Sequence, residues 1–318
     1  MNEESKISNY EDNKEKLSNL SKRIEELEKE NKLHEKILKS HDDLLKNILF
    51  KHDLKPKGLL KDIQNLETEL ISFIDNVCTK YNLEYWLDYG TLLGAKRHEG
   101  FIPWDDDTDL GMMREDFEKI FPLLKKEVNE KNLNNIDVNI YHQNNKNILI
   151  SFIQFIYRHP TYKNAMGTLD IFPCDYRKTS EIISKKDFLD YRQKFHMQLL
   201  NNKKPEKVIN NYFNQFELTY EKTEFILIGV ESWYGLNGDE LNIETETIFP
   251  LKNIKFNGKT FKSPNNEDAL LKNYFGEYME FPSVIDAHGL LNRINSNEEI
   301  KKYYSVAIEE LHEANEKF

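Results

Sequence analysis

Residues 86–111 read Trp-Leu-Asp-Tyr-Gly-Thr-Leu-Leu-Gly-Ala-Lys-Arg-His-Glu-Gly-Phe-Ile-Pro-Trp-Asp-Asp-Asp-Thr-Asp-Leu-Gly. Asp105, Asp106, Asp107 and Asp109 put four carboxylates into five positions, a short way after a Gly90-Thr91 turn. Like charges that close repel one another unless a cation sits among them, and the apolar residues around them imply partial burial rather than a hydrated acidic tail. A divalent metal is the economical explanation. Side chains two apart on an extended strand share a face, so Asp107 and Asp109 are the safest pair, and Asp105 joins them if the strand begins early. Hard oxygen donors at this spacing suit Mg²⁺ or Mn²⁺, which assist phosphate chemistry by neutralising charge and orienting attack. A calcium loop of the EF-hand type is excluded. Counted from Asp105, its sixth position is Leu110 where glycine is required, and its twelfth is Asp116 where the bidentate glutamate belongs.

Upstream, Gly90 and Thr91 offer backbone amides and a hydroxyl where a helix begins, a natural cradle for phosphate. Arg97 follows nearly two turns on. Downstream, Asp170 stands between Leu169 and Ile171 in a strand-like run, where an isolated carboxylate is expensive unless paired or metal-bound. It is the best third ligand.

The surrounding elements follow from periodicity. Leu59, Ile63, Leu66, Leu70, Ile74, Val77 and Tyr81 recur at helical spacing, which predicts an amphipathic helix over 59–82 with its stripe against a core. A short strand begins at Tyr85, a helix covers Thr91–Arg97, a strand Asp107–Met112 and a helix Arg114–Val128. Further strands are predicted at 136–140, 148–157 and 167–172. After Ser184 the chain reads as largely helical, with a hairpin at 254–261 around Asn257-Gly258 and a final helix from about Asn297. The fold class is α+β: a mixed sheet flanked by helices, with a helical C-terminal part.

Residues 1–55 differ from the rest. They carry 13 acidic and 12 basic side chains and no Gly, Pro or Trp. Leu17, Leu20, Ile24, Leu27, Asn31, His34, Leu38, His41, Leu45 and Ile48 follow an a/d register, which predicts a coiled-coil helix and a homo-oligomer, with Asn31 a possible register specifier. The competing reading is a single solvated helix. Pro56 and Gly58 end this segment, so the domains are 1–55 and 59–318.

A chain of 318 residues, 39% hydrophobic, can bury a sizeable core, and its net charge of −11 argues against nonspecific nucleic-acid or anionic-membrane binding. Cys78 and Cys174 have no metal-ligand spacing and read as reduced thiols. The N-terminus lacks the apolar core of a signal peptide, and the run Phe225–Val230 is too short to span a bilayer. The expected location is cytoplasmic, at most peripheral at the inner face of a membrane, with no transmembrane segment.

A Gly-Thr turn, the pair Asp107-x-Asp109 and a later Asp in Leu169-Asp170-Ile171 look like the nucleotidyltransferase layout of the DNA polymerase β type. The longer string Trp86 to Asp109 resembles the LicD family of phosphocholine transferases, which includes fukutin and fukutin-related protein. The resemblance continues in Leu169-Asp170-Ile171-Phe172-Pro173, in Ile248-Phe249-Pro250-Leu251 and in Tyr274-Phe275-Gly276-Glu277-Tyr278-Met279. It covers roughly residues 59–290 and leaves the coiled coil outside. Lys96, where the family usually has an aliphatic residue, and Phe275, where a tyrosine-glycine pair is common, are departures that remove no carboxylate.

The resemblance implies a nucleotidyltransferase-like fold and metal-dependent transfer of a phospho-alcohol, such as phosphocholine from CDP-choline, to a hydroxyl of a glycan or glycolipid acceptor, with release of CMP. Asp107 and Asp109 would hold the metal that grips the donor diphosphate, while Asp170 completes a second metal or takes the acceptor's proton. Arg97 suits the diphosphate, against a surface pair with Glu99. His98 and His288 are weighed between acceptor contact and structural hydrogen bonding. An aromatic face at Trp104 could hold a quaternary ammonium, whereas Trp86 is the better core residue. Asp105 is a further ligand or a turn former, Asp106 a cap or ion-pair partner, and Asp88 a turn or orienting residue. Two rivals remain. A metal-dependent glycosyltransferase would use Asp-x-Asp but leaves Gly90-Thr91 and Asp170 unexplained, and a coiled-coil scaffold would merely bind a nucleotide.

Overall fold

Helix α2, Leu59–Tyr81, buries the stripe Ile63, Leu66, Leu70, Ile74 and Val77 completely, as its spacing requires, and ends where Asn82 takes a left-handed φ of 55°. The computed structural model describes residues 3–51, 55–142, 151–181, 183–200, 205–231, 242–279, 290 and 298–318. The chain divides into two compact units, Met1–Leu54 and a larger one over Lys55–Glu280 and Ile285–Phe318.

The larger unit is built on a mixed sheet. Strands β1 (Trp86–Leu87), β2 (Thr108–Met113), β3 (Ile136–His142), β4 (Ser151–Arg158) and β5 (Ala165–Arg177) lie in the order β1-β2-β5-β4-β3. The β2–β5 pair is parallel, and the other pairs along this path are antiparallel. Helix α3 (Tyr89–His98) connects β1 to β2, and α4 (Arg114–Glu130) follows β2 directly. Residues 148–150 of the strand expected over 148–157 lie outside the described residues.

Beyond Ser184 the chain is largely helical, as expected, with three short strands before the hairpin that its pattern did not announce. Helices α5 (Lys185–Leu200) and α6 (Pro205–Gln215) form, but β6 (Leu218–Thr219), β7 (Phe225–Ile228) and β8 (Asn242–Glu244) then extend the sheet. The reason is the length of β5. Its 13 residues outrun β2 and β4, and the surplus edge at Cys174–Arg177 pairs with Phe225–Ile228. A four-residue apolar run carries no period of its own, so its partner decides its state.

The expected hairpin is present as β9 (Lys252–Phe256) and β10 (Lys259–Ser263), turned by Asn257 and Gly258 with φ of 46° and 82°, as a two-residue primed turn demands. Short helix α7 (Thr245–Ile248) precedes it, α8 (Glu267–Phe275) follows, and α9 (Glu298–Asn315) closes the chain. Helix α9 docks on α2 and the sheet: Asn315 donates to Glu69, and the buried Tyr304 hydroxyl donates to the Met166 carbonyl at 2.6 Å.

One buried ionic knot locks the sheet to α4. Arg114, at the helix start, forks onto Asp175 (2.6 and 2.8 Å) and Glu231 (2.6 and 2.9 Å), and Tyr212 donates to Asp175. The two carboxylates hold the guanidinium well into its charged range in spite of burial.

The N-terminal unit contains α1, Glu3–Lys51. Leu17, Leu20, Ile24, Leu27 and Leu38 of its a/d register are 47–66% exposed, so the stripe is not spent on packing. Among the described residues no helix is long and apolar enough to cross a membrane. Cys78 and Cys174 are buried and unbridged.

Candidate active site

Asp109 and Asp170 are direct partners in the parallel β2–β5 register, on strands about 4.8 Å apart. Gln154 of β4 pairs with Asp170 from the other side, and its Nε2 donates to Asp170 Oδ1 at 2.9 Å. Three adjacent strands therefore present Asp109, Asp170 and Gln154 on one face.

The start of α3 is stitched to this face through the backbone of Asp109. Asp109 N–H donates to Thr91 Oγ1 at 2.8 Å, and Asp88 N–H donates to the Asp109 carbonyl at 3.0 Å. Asp88 then caps α3, accepting from Tyr89 N–H at 3.0 Å. The helix thus begins at Tyr89, two residues earlier than its pattern predicts, and Thr91 is a positioning residue for the carboxylate strand.

Gly111 makes this packing possible. A Cβ there would stand 2.3 Å from the Trp86 ring and 2.6 Å from Asp88 Oδ2, so only glycine lets the indole and the carboxylate lie against β2. Trp86 is a core residue, 1% exposed, with Phe249 edge-on to it at 6.0 Å.

The strand begins at Thr108, later than an alternation from Asp105 needs. Pro103 and Trp104 lead into a turn in which Asp105 N–H donates to the Ile102 carbonyl at 2.9 Å, and Gln64 of α2 donates to the Asp105 carbonyl at 2.9 Å. Asp105 and Asp106 are buried and Asp107 is half-buried at the strand entrance. The Asp105 carboxylate lies against Gly90, where an added Cβ would meet Oδ2 at 3.2 Å. Trp104 is half-buried and packs on the core.

Arg97 and His98 sit at the other end of α3. Arg97 donates to the Tyr278 carbonyl at 3.0 Å, and its buried Nε has no hydrogen-bond partner among the described residues. Burial also disfavours its charge. His98 is exposed, and His288 lies outside the described residues.

The electrostatics report a shortage of positive charge. Burial, followed by the charges of Asp107, Asp170, Asp105 and Asp88, raises the Asp109 carboxyl well above the usual range. Burial pushes Asp88 up to about 7, against hydrogen bonds from Tyr89 N–H and the Tyr274 hydroxyl. The donor set of hard carboxylate oxygens fits Mg²⁺ or Mn²⁺. Among the described residues no three His, Cys, Asp or Glu side chains converge on one point, so the carboxylates are gathered rather than closed on an ion.

Sequence reasoning missed several participants. Tyr89 adopts φ of 42°, a strained backbone for a tyrosine, and its ring stacks on Tyr274 (4.9 Å, 14°) and stands edge-on to Phe172 (5.5 Å, 77°). Through Tyr274, Tyr278 and Phe249, both distal C-terminal motifs fold back onto the β1–α3 segment. Gln64 and Glu67 lie on α2, and Glu67 carried a readable signal: it falls in the apolar stripe between Ile63 and Leu70, where a charge is out of place.

Residues 82–208 match the family described as LicD/FKTN/FKRP, nucleotidyltransferase domain. The lipopolysaccharide cholinephosphotransferase LicD of Haemophilus influenzae is 36% identical over 74 residues, 23% of this chain and 28% of that protein. The human ribitol 5-phosphate transferase FKRP is 46% identical over 48 residues, 15% of this chain and 10% of the relative. An uncharacterized protein of Rickettsia typhi is 48% identical over 61 residues, 18% and 20% of the two chains. The chain thus aligns with less than a third of the length of these relatives. The carboxylate face, the Gly-Thr helix start and these matches over one continuous segment make residues 82–208 similar to the nucleotidyltransferase domain of the LicD family.

Proposed function

We propose that the chain transfers a phospho-alcohol from a CDP-alcohol, with phosphocholine from CDP-choline the first case to test, to a hydroxyl of a cell-surface glycan, releasing CMP. The observation that carries this reading is the in-register pair Asp109 and Asp170, with Gly90-Thr91 bonded to the same strand residue. A glycosyltransferase reading leaves both the distal Asp170 and the stitched helix start without a task.

Asp107, Asp109 and Asp170, with Asp105 behind them, would hold Mg²⁺ or Mn²⁺, which supplies charge neutralisation at the diphosphate. The N–H groups at Gly90 and Thr91 face the donor phosphates from a helix start. Arg97, with an unused buried Nε, has capacity for a phosphate oxygen. Asp170, oriented by the Gln154 amide, would accept the proton of the acceptor hydroxyl as the hydroxyl oxygen attacks phosphorus and the bond to CMP breaks. His98 would contact the acceptor, and Trp104 would offer an aromatic face to the alcohol headgroup. Self-association through α1, with Asn31 setting register, brings copies together, and a cytoplasmic position at the inner membrane face suits a lipid-linked acceptor.

A panel of CDP-choline, CDP-ethanolamine, CDP-ribitol and CDP-glycerol with Mg²⁺ or Mn²⁺, scored for CMP release, tests the reading. Release from one or more of them is expected. Turnover of UDP-sugars with none of the CDP-alcohols would overturn it.

A further inference from the structure

We propose that Glu67 of α2, outside the matched segment, supplies a further carboxylate to the cation held by Asp107 and Asp109. This inference rests on the cation reading above.

Glu67 is completely buried. Its Oε1 accepts only a long hydrogen bond, 3.3 Å, from Thr168 N–H, and its Oε2 has no partner among the described residues. The charged neighbours acting on it are Asp107, Asp106 and Asp105 of the carboxylate loop. A buried carboxylate oxygen with neither donor nor cation is costly, and fold packing does not require one at this position.

The backbone around Glu67 aims it. One turn earlier, Gln64 holds the Asp105 carbonyl, so the same face of α2 runs along the loop that delivers Asp107. At the Oε1 end, Thr168 pins the start of β5 two residues before Asp170, and Thr108 Oγ1 donates to the Thr168 carbonyl at 3.0 Å. Glu67 therefore bonds β5 at Thr168, the residue whose carbonyl holds the first residue of β2. Closing on a cation calls for rotation of these side chains toward one point, since no three His, Cys, Asp or Glu side chains converge among the described residues.

The test is Mn²⁺ titration of the full chain, by calorimetry and by the metal-induced shift in melting temperature, for wild type, Glu67→Gln and Asp109→Asn. Glu67→Gln keeps the bond from Thr168 and is expected to melt no lower than wild type without metal. Its Mn²⁺ affinity should fall about tenfold or more, the range seen when supporting ligands are lost. Glu67→Met, similar in volume and without oxygens, is measured as well, so a folding defect in one variant does not decide the outcome. Mn²⁺ affinity within twofold of wild type in the folded variant, with Asp109→Asn impaired, would overturn the role of Glu67 alone. No Mn²⁺ binding by wild type, or unchanged binding by Asp109→Asn, would overturn the cation reading itself.

Discussion

Asp109 and Asp170 face each other across a parallel strand pair, and the charge of Asp170 opposes ionisation of Asp109. A cation bound beside these carboxylates would relieve that opposition. Replacing Asp109 by Asn should therefore separate stability from turnover. Metal-free melting should rise by a few degrees as like-charge repulsion is relieved. CMP release should fall by about two to three orders of magnitude, because several kcal/mol of charge stabilisation depend on the ligand. A melting point that drops together with activity would show that Asp109 is structural.

Asp88 makes stability depend on pH in an unusual direction. Its folded-state pKa, about 7, lies above its ordinary 3.8, so the folded chain binds the extra proton. The contribution is complete below the ordinary value and is lost as pH rises through about 7. Asp88→Asn should flatten the melting profile between pH 5 and pH 8 in EDTA. At pH 8 it should gain on the order of a few kcal/mol relative to wild type. A variant profile parallel to that of wild type would exclude this role.

Gly111→Ala tests the close packing under the site. The added methyl meets the Trp86 ring at 2.3 Å, so the indole must move. A loss of about 1–3 kcal/mol in urea unfolding is expected from overpacking, with a shift in tryptophan emission and reduced CMP release. Unchanged emission and stability would mean that Trp86 does not occupy this position.

The exposed stripe of α1 predicts self-association. Leu20 and Leu27 replaced together by Asp should convert an oligomer to a monomer in light scattering, while CMP release per chain persists. A monomeric wild type would refute it.

Much of this was legible because local signals agreed. The spacing of Ile63, Leu66, Leu70 and Ile74 located α2, Asn257-Gly258 located the hairpin, and the aspartate run with its Gly-Thr turn marked the face that carries Asp109. Long-range choices were not legible. Nothing local told Phe225–Ile228 that the far end of β5 would offer it an edge, or placed Gln154 opposite Asp170. The turn at Asp105 was hidden for a related reason: it is held by Gln64, forty-one residues away. Asp105 and Asp107 thus reach the site from a turn and a strand entrance, not from one continuous strand.

At Asp109 the outer edge of β2 pairs with the first turn of α3 instead of another strand, through Asp88 and Thr91. Carboxylate and helix start are thereby geared into one rigid piece, and breathing of the sheet leaves their separation fixed. On the proposed reading, room for a second substrate would come from the far side of the pair, at Gln154. Grip on one reactant can then stay constant through evolution while the choice of the other drifts.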